Sequence, residues 1–579
     1  MLLSLFYKFR YLKLISSSFR AKILKLTFVI LILTILEMVS ISVILPIFYL
    51  FNDDFFLDNF NNFAAKYLNS YFYLTEKKDV LFLFIFLFLI IFILRTFVNF
   101  LAIRLQLNLI KKLRLHFITL LFDIYSSKDF FLLSNINSGK VINDLENEVS
   151  NYCDKYIYSF LNILTDLFIL GGMFILLILT QSLISLIIFF LLALAVYLFF
   201  YFSRYKIANL SNERQKLDYQ KVQSLINIFK GIKDIKIFNK ENYFFNNFRS
   251  QTEKAQNVNF KIFYLQLIPR PLIELFSAIL ISTYFFVGIF IFNSLSELIL
   301  GVVMILTISF RSLPIVSRLI YSMINLNYSI PSARILNDEI DNYKKNYSNF
   351  SNQKLEFLIP EKCIEINNLN YWTEPRKNIL ENINLNLPIK EKICIIGESG
   401  SGKSTFLNIL MGLLAPKSGS IIIDKKSQLE FRKKILRVNY LSQDNFTVND
   451  SIKENIAFGS DNIDQIRIDN SLKFSGLYEH VSNLKFRSDT QLSELGNNLS
   501  TGEKQRIALA RTYYFKERSK VLICDEPLNA VDPELKNILF ERIFKEFSDH
   551  LILMVLHDLN YKKYFDKTYL LKDKKFILV

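Results

Sequence analysis

Residues Lys392 to Thr405 read KICIIGESGSGKST. Five apolar-rich residues, Lys392 to Ile396, form a short strand pattern and run directly into GxxxxGK[ST], after which helical spacing begins. Such a loop binds phosphate for a stated reason. Gly397, Gly400 and Gly402 carry no Cβ, so backbone N–H groups can close around an anion at a helix N-terminus, where the helix dipole favours negative charge. Ser399, Ser401 and Thr405 add hydroxyls, Lys403 is placed to reach the β/γ-phosphates, and Ser404 to ligate Mg²⁺. Further along, Val521 to Glu526 reads VLICDE, a buried-strand pattern ending in two carboxylates. Asp525 suits an outer-shell position at the metal, and Glu526 suits polarisation of an attacking water. Glycine is scarce in this chain, 15 in 579 residues against a usual ~7%, and three of the 15 fall inside this one loop.

Between these elements lies LSTGEKQR, Leu499 to Arg506, opening a helical run. It resembles the LSGGQ signature of ABC transporters, and other motifs of that family follow in order: Gln443 in YLSQD, Asn529 to Asp532 as the D-loop, and His557 after the apolar strand Leu551 to Leu556. The resemblance covers about 361–579. It implies an α/β P-loop ATPase domain that binds ATP and Mg²⁺, the metal held by Ser404 and Gln443 with Asp525. It also implies Glu526 as catalytic base, His557 as the γ-phosphate switch, and Ser500, Gly502 and Glu503 facing the nucleotide of a second subunit. Glu494 falls where exporters carry an acid near the coupling loops. Three departures stand out. Thr501 replaces the first signature Gly and Glu503 the Gln, so slow hydrolysis is expected unless Lys504 or Arg506 offsets the extra acid. The adenine-stacking position falls on Thr373, with Trp372, the only tryptophan, beside it. Lys390 stands where a turn glycine is frequent, with little consequence expected.

The first half has a different composition. Leu26–Phe51, Val80–Leu94, Ile157–Leu179, Leu183–Phe202, Leu272–Phe292 and Leu298–Phe310 are nearly uncharged apolar runs. With extension of the second to Ile103 and the sixth toward Ile320, all reach the ~20 residues a bilayer helix needs. Lys8, Arg10, Lys13, Arg20, Lys22 and Lys25 precede the first run without an acid, and 204–270 is highly basic. That places the N terminus and both long connections on the cytoplasmic side, and much of the net charge of +16 is this topology. No cleaved signal is expected, because the first run is too long for an h-region. The expected organisation is 1–24, an amphipathic segment on the inner leaflet; 25–340, a six-helix α transmembrane domain of ABC-exporter type with long cytoplasmic helical extensions; 341–360, a polar linker; and 361–579, the ATPase domain. SGKVINDLENEV (Ser138–Val149) and GIKDIKIFNKE (Gly231–Glu241) resemble exporter intracellular loops. Segments near Asn135–Asn143 and Gln223–Phe229 are the expected coupling helices, docking near Gln443.

Composition closes several classes. With 51% hydrophobic residues and 57 Phe the chain is not disordered, and its four scattered cysteines make no disulfide framework. A nucleic-acid ATPase would lack the membrane runs. One membrane domain with one ATPase domain makes half a transporter, most simply a homodimer in a bacterial inner membrane. Intramembrane charges are costly and mark function, which singles out Arg95, Arg311 and Arg318, with Glu37, Asp166 and Glu274 as candidate partners. RTFVN (95–99), PRPLIE (269–274), SFRSLPIVSRLI (309–320) and an outer loop, Asn52–Thr75, resemble bacterial lipid-linked oligosaccharide flippases. That resemblance implies a polyprenyl-pyrophosphate-linked glycan as substrate. Export of another lipid (lipid A or phospholipid) or of a hydrophobic drug is the alternative. A peptide exporter is less expected, since no protease-like segment precedes the first run, and an ATP-gated channel or regulator is the option of another class.

Overall fold

The structure is a computed structural model that describes residues 9–43, 77–128, 130, 133, 136–179, 183–291, 295–347, 356–373, 377–430, 434–443, 445–493, 499–556 and 559–579. The outer loop Asn52–Thr75, Glu494 and His557 lie outside the described residues. The chain divides into two compact units with the main boundary after Lys345.

The described residues of the six apolar runs fall mainly in six helices of the first unit: Ser17–Ser42, Lys77–Ser126, Tyr158–Leu179, Leu183–Lys230, Pro269–Ile291 and Leu295–Tyr347. Among the described residues four stretches are long and apolar enough to cross a membrane: Ser17–Ser42, Lys78–Ser126, Ser138–Leu176 and Glu241–Phe286. The helix Lys77–Ser126 has 50 residues, which at ~1.5 Å each is ~75 Å, over twice the ~30 Å hydrocarbon layer. Its first half exposes Phe82, Phe86, Phe97 and Phe100, a row of rings that water would not tolerate and lipid does.

The second half of that helix packs into a protein core. Leu113, Phe117 and Leu121 lie fully buried with Tyr152, Tyr156, Leu336 and the N-terminal Tyr11, Ile15 and Phe19. The Tyr152 hydroxyl donates to the Tyr11 carbonyl at 2.9 Å. Tyr11, Ile15 and Phe19 of the N-terminal segment are therefore covered by protein, in a compact aromatic cluster. Polar anchors fix the same region. Arg214, 1% exposed, meets Glu148 at 3.7 Å and Asp218 at 3.5 Å and lies over the Tyr328 ring, while the Ser332 hydroxyl donates to Glu148. One buried guanidinium thus ties 144–148 to two long helices; removing either partner would strand a buried charge.

Two boundaries differ from expectation. Residues 341–347 continue the helix Leu295–Tyr347 instead of starting a linker, because a polar tail such as DNYKKNY is compatible with a solvated last turn, Lys344 and Lys345 suiting its C-terminal dipole. Gln223–Phe229 forms no short helix of its own. It is the end of the helix Leu183–Lys230, and the separate short helix is Ile232–Ile237, after the break at Gly231.

The second unit is α/β. In chain order its strands are Glu356–Leu358 (β1), Cys363–Thr373 (β2), Lys377–Pro388 (β3), Lys392–Ile396 (β4), Ser418–Ile423 (β5), Ser427–Gln428 (β6), Lys434–Leu436 (β7), Asn439–Leu441 (β8), Val521–Asp525 (β9), Leu551–Val555 (β10), Lys567–Lys572 (β11) and Lys575–Leu578 (β12). The core is a mixed sheet ordered β12-β11-β4-β10-β9-β8, beside an antiparallel sheet β3-β2-β5-β6. Strands β9 and β10 are buried at every position, as their unbroken apolar runs demand of parallel strands covered on both faces. Both β4 and β9 pair in parallel with β10, so their C-terminal ends, where the phosphate loop and the two carboxylates begin, open on one edge. That edge is where α/β sheets bind ligands.

The turn from β3 to β4 holds Lys390 at φ +77°. The residue is exposed, and a Cβ in the left-handed region costs ~1–2 kcal/mol. We expect Lys390→Gly to stabilise this unit by about 1 kcal/mol, raising its unfolding temperature by about 2–4 °C in a thermal scan of the full chain; an unchanged or lower temperature would count against a strained turn.

Candidate functional site: a phosphate loop facing two carboxylates

The phosphate loop runs from β4 into the helix Lys403–Leu410, with Gly402 at φ +108° as its N-cap. A side chain there would also press on Ile379 Cγ2 at 2.9 Å, so both backbone and space require glycine. Ser399 and Gly400 form the exposed crest of the loop, and Thr405 follows in the helix. Lys403 is 6% exposed. Its ammonium donates to the carbonyls of Gly397 at 2.7 Å and Glu398 at 2.8 Å, folding over the cradle it would share with phosphate. Burial pulls Lys403 below the ordinary lysine range, and the negative charges of Glu526 and Asp525 offset part of that. Ser401 Oγ is buried with no hydrogen-bond partner. An orphaned hydroxyl inside a loop of N–H donors is what a phosphate oxygen would satisfy, so the residues present fit a bound nucleoside triphosphate.

Across from the loop stand the carboxylates of β9. Ser404 Oγ donates to Asp525 Oδ2 at 3.3 Å. Glu526, at the end of β9, adopts φ +49°, and Leu528 φ +61°; non-glycine residues hold such angles where the surroundings over-determine them, often at functional sites. The Glu526 N–H donates to Val555 of β10 at 3.1 Å. Its Oε2 accepts from Gln443 Nε2 at 3.0 Å and from Asn529 Nδ2 at 3.2 Å. Ser404, Asp525, Glu526 and Gln443 therefore form one continuous polar edge, an oxygen-rich donor set suited to a hard cation such as Mg²⁺.

Ser500, Gly502 and Glu503 make a second cluster at the start of the helix Thr501–Tyr514, capped by Ser500. Gly502 has a structural reason that the motif alone did not disclose: a Cβ there would sit 2.7 Å from the Ala530 carbonyl. Gln505 Oε1 accepts from the Ala530 N–H at 3.0 Å, so the helix is clamped to the segment just after Glu526. Trp372 lies half-buried next to the end of β2, and the β2–β3 register shifts between Tyr371 and Trp372. That irregularity is where a one-residue displacement of the stacking ring would be accommodated.

Two family models match the chain. One, the ABC transporter transmembrane region, covers residues 26–313, and the other, ABC transporter, covers 380–529. The chain belongs to the ABC transporters. The transporter is 29% identical over 445 residues to a sublancin-168-processing and transport ATP-binding protein of Bacillus subtilis (strain 168), covering 74% of this chain and 59% of that one. It is 30% identical over 363 residues to a multidrug resistance-like ATP-binding protein of Buchnera aphidicola, covering 62% and 59%. With a pediocin PA-1 transport/processing ATP-binding protein of Pediococcus acidilactici the match is 31% over 264 residues, 44% and 36%. The chain thus spans well under two thirds of the length of these curated relatives. Among solved structures, a bacterial Atm1-family ABC exporter with ATP bound superposes with a TM-score of 0.75 at 17% identity, covering 97% of this chain and 95% of that one. The exporter fold follows from that likeness: a transmembrane domain fused to an ATPase domain.

Inside the transporter's membrane unit the three arginines singled out by sequence are brought together. A cavity of about 390 Å³ is lined by Arg95, Arg311, Arg318, Glu37, Asn99 and Gln106 among others. None of the three stands as a bare cation. Arg95 and Arg311 both pair with Glu37, the latter at 3.0 Å, and Arg318 pairs with Asp166, its Nε at 2.8 Å. Glu37 and Asp166 are 2% and 0% exposed. Glu274 takes no part: it pairs with Arg270 one helical turn away, the i,i+4 neighbour that a helix supplies at least cost. Three arginines against two carboxylates leave the cluster cationic by one charge.

Proposed function

We propose that this transporter couples ATP hydrolysis to the export or flipping of an anionic amphiphile, acting as a homodimer in a bacterial inner membrane with its N terminus and ATPase unit cytoplasmic. The orientation is supported by the Lys and Arg content of the N-terminal segment and of 204–270. ATP held by Lys403, Ser401 and the loop amides of one subunit, its adenine on Trp372, is completed by Ser500 and Gly502 of the other. Glu526 polarises the attacking water, Gln443 and Asn529 hold Glu526, and His557 is assigned to the γ-phosphate by its motif. Mg²⁺ bound through Ser404 and Gln443, with Asp525 behind, would neutralise phosphate charge. Closure of the ATPase units then acts on the cytoplasmic extensions around 135–143 and 223–229.

The observation that carries the substrate class is the cationic cavity. A net positive pocket in a membrane unit selects an anionic head group, and about 390 Å³ suits a head group rather than a long chain, drug-sized pockets being ~300–1,000 Å³. A polyprenyl-pyrophosphate-linked oligosaccharide has such a head with a tail that can stay in lipid. Lipid A and phospholipids share the chemistry. A second reading, peptide export, is favoured by the names of the bacteriocin-transporting relatives, whose lengths exceed the matched region.

The deciding experiment reconstitutes the transporter in vesicles and measures ATPase activity with a polyprenyl-pyrophosphate glycan, lipid A or a cationic bacteriocin peptide. We expect several-fold stimulation by the first. Stimulation by the peptide alone would replace this reading with the second. Converting Arg95, Arg311 and Arg318 to Gln, together with Glu37→Gln and Asp166→Asn so that no acid is left buried without a counter-ion, should reduce glycan stimulation about tenfold; retention of full stimulation would remove the cavity from the mechanism.

A further inference from the structure

The altered signature LSTGE creates a competition that the structure makes explicit. Ser500 caps its helix in a closed box: Glu503 N–H donates to Ser500 Oγ at 3.2 Å, while Glu503 Oε2 accepts from both the Ser500 N–H and the Ser500 hydroxyl, each at 2.8 Å. The serine has one hydroxyl hydrogen. As long as it points at Glu503 it cannot be donated to a phosphate oxygen. A carboxylate and a phosphate would also compete for the same helix N-terminus, whose dipole stabilises negative charge but holds only a fraction of one positive charge.

The other carboxylate oxygen is not idle. Glu503 Oε1 lies 3.2 Å from Nε2 of His480, which belongs to the short helix Tyr478–Ser482. The sequence pointed to Lys504 or Arg506 as the group offsetting Glu503. Arg506 does contribute charge, but its Nη1 is spent on the Gly476 carbonyl at 3.1 Å, and the group in contact is His480. Against burial, which pushes its carboxyl up, the Ser500 hydrogen bonds and the charges of His480 and Arg506 hold Glu503 below the ordinary glutamate range. It is an anion beside the residue that is to meet another anion.

We infer that His480 is a positioning residue for ATP-driven closure: by drawing Glu503 Oε1 toward itself it sets how readily Ser500 releases its hydroxyl to the γ-phosphate held by the facing subunit. This rests on the proposed composite site. Ser500 need only rotate its O–H from Glu503 Oε2 to phosphate; no bond other than hydrogen bonds changes. With His480 in place its Nε2 holds Glu503 Oε1 from the far side, 3.2 Å away. Without it, Glu503 keeps the serine and repels the incoming phosphate.

The test uses the full-length transporter in nanodiscs and reads the ATP concentration for half-maximal closed dimer, in the Glu526→Gln background, and KM against kcat in the otherwise wild-type chain. His480→Ala should raise the half-maximal ATP concentration and KM about 2- to 5-fold, the span set by a partly exposed ion pair, with kcat changed less. His480→Lys, which puts an ammonium donor at the same position, should bring both back. Glu503→Gln should lower KM, and His480→Ala added to it should change nothing further, since the carboxylate that His480 contacts is gone. An equal effect of His480→Ala with Glu503 and with Gln at 503, or no effect in either, overturns the inference. If instead ATP forms no closed dimer in the Glu526→Gln background, or Ser500→Ala leaves the half-maximal concentration unchanged, the composite site itself fails and the inference with it.

Discussion

Lys403→Ala should lower ATP affinity by about 30-fold or more while leaving the fold intact. The side chain is buried in the loop and donates to two backbone carbonyls, Gly397 and Glu398. Its removal leaves both acceptors at the rim of a loop whose crest is exposed at 398–400, where water can replace the ammonium. The folding cost is therefore small beside the loss of binding. Binding is different. ATP brings concentrated negative charge into a cradle that also faces Asp525 and Glu526, and Lys403 is the cation within it that offsets them. Losing one partner of a buried, hydrogen-bonded charge pair costs ~2–5 kcal/mol, and ~1.4 kcal/mol is a factor of ten. The measurement is nucleotide titration of purified wild-type and variant protein, with circular dichroism and the unfolding temperature as controls. Affinity within a few-fold of wild type would mean that the loop amides alone hold the triphosphate, and that the role given to Lys403 is wrong.

Features carried by contiguous residues were readable before any coordinates. The phosphate loop, the VLICDE strand and the capped signature helix each state their local structure within a dozen residues, and each stands in the expected element. Length alone marked the membrane helices. What stayed hidden depends on residues far apart in the chain. His480 precedes Glu503 by more than twenty positions, on another helix, and no periodicity links the two. Glu37 was readable as a partner for a membrane arginine, yet only packing shows that it serves both Arg95 and Arg311. Glu274 pairs instead with Arg270, four residues before it on the same helix, so nearness in sequence rather than depth in the membrane decides its partner. The first seven residues of the expected linker are helical for a related reason: polarity at 341–347 reports exposure, and an exposed last helical turn is as polar as a coil. Lys390 shows the converse, a position where the motif expects glycine and the backbone keeps the glycine angle regardless, since β3 and β4 on either side impose the turn.

Glu526→Gln should reduce ATP turnover by about 10²–10³-fold, preserve ATP binding and accumulate a closed dimer. The substitution is close to isosteric, and the groups holding Glu526 would hold glutamine as well. The backbone N–H still donates to Val555, so the strained φ of +49° is kept. The amide oxygen can still accept from Gln443 and Asn529, which now both donate to Oε2. What is lost is the basic oxygen that would take a proton from water, a contribution typically worth 10²–10⁴-fold. Because neither Lys403 nor Ser401 is touched, the ground-state complex should persist, and closure should outlast hydrolysis. Three readings are needed: ATPase rate, nucleotide affinity, and the fraction of dimer resistant to dissociation in ATP. Wild-type turnover in this variant would sink the assignment of Glu526 as base. A joint loss of turnover and binding would point elsewhere, to damage of the Gln443–Glu526–Asn529 bridge, and Glu526→Asp would then separate the two: it keeps the carboxylate but retracts it by one methylene, so a bridge defect should reappear there while a pure loss of basicity should not.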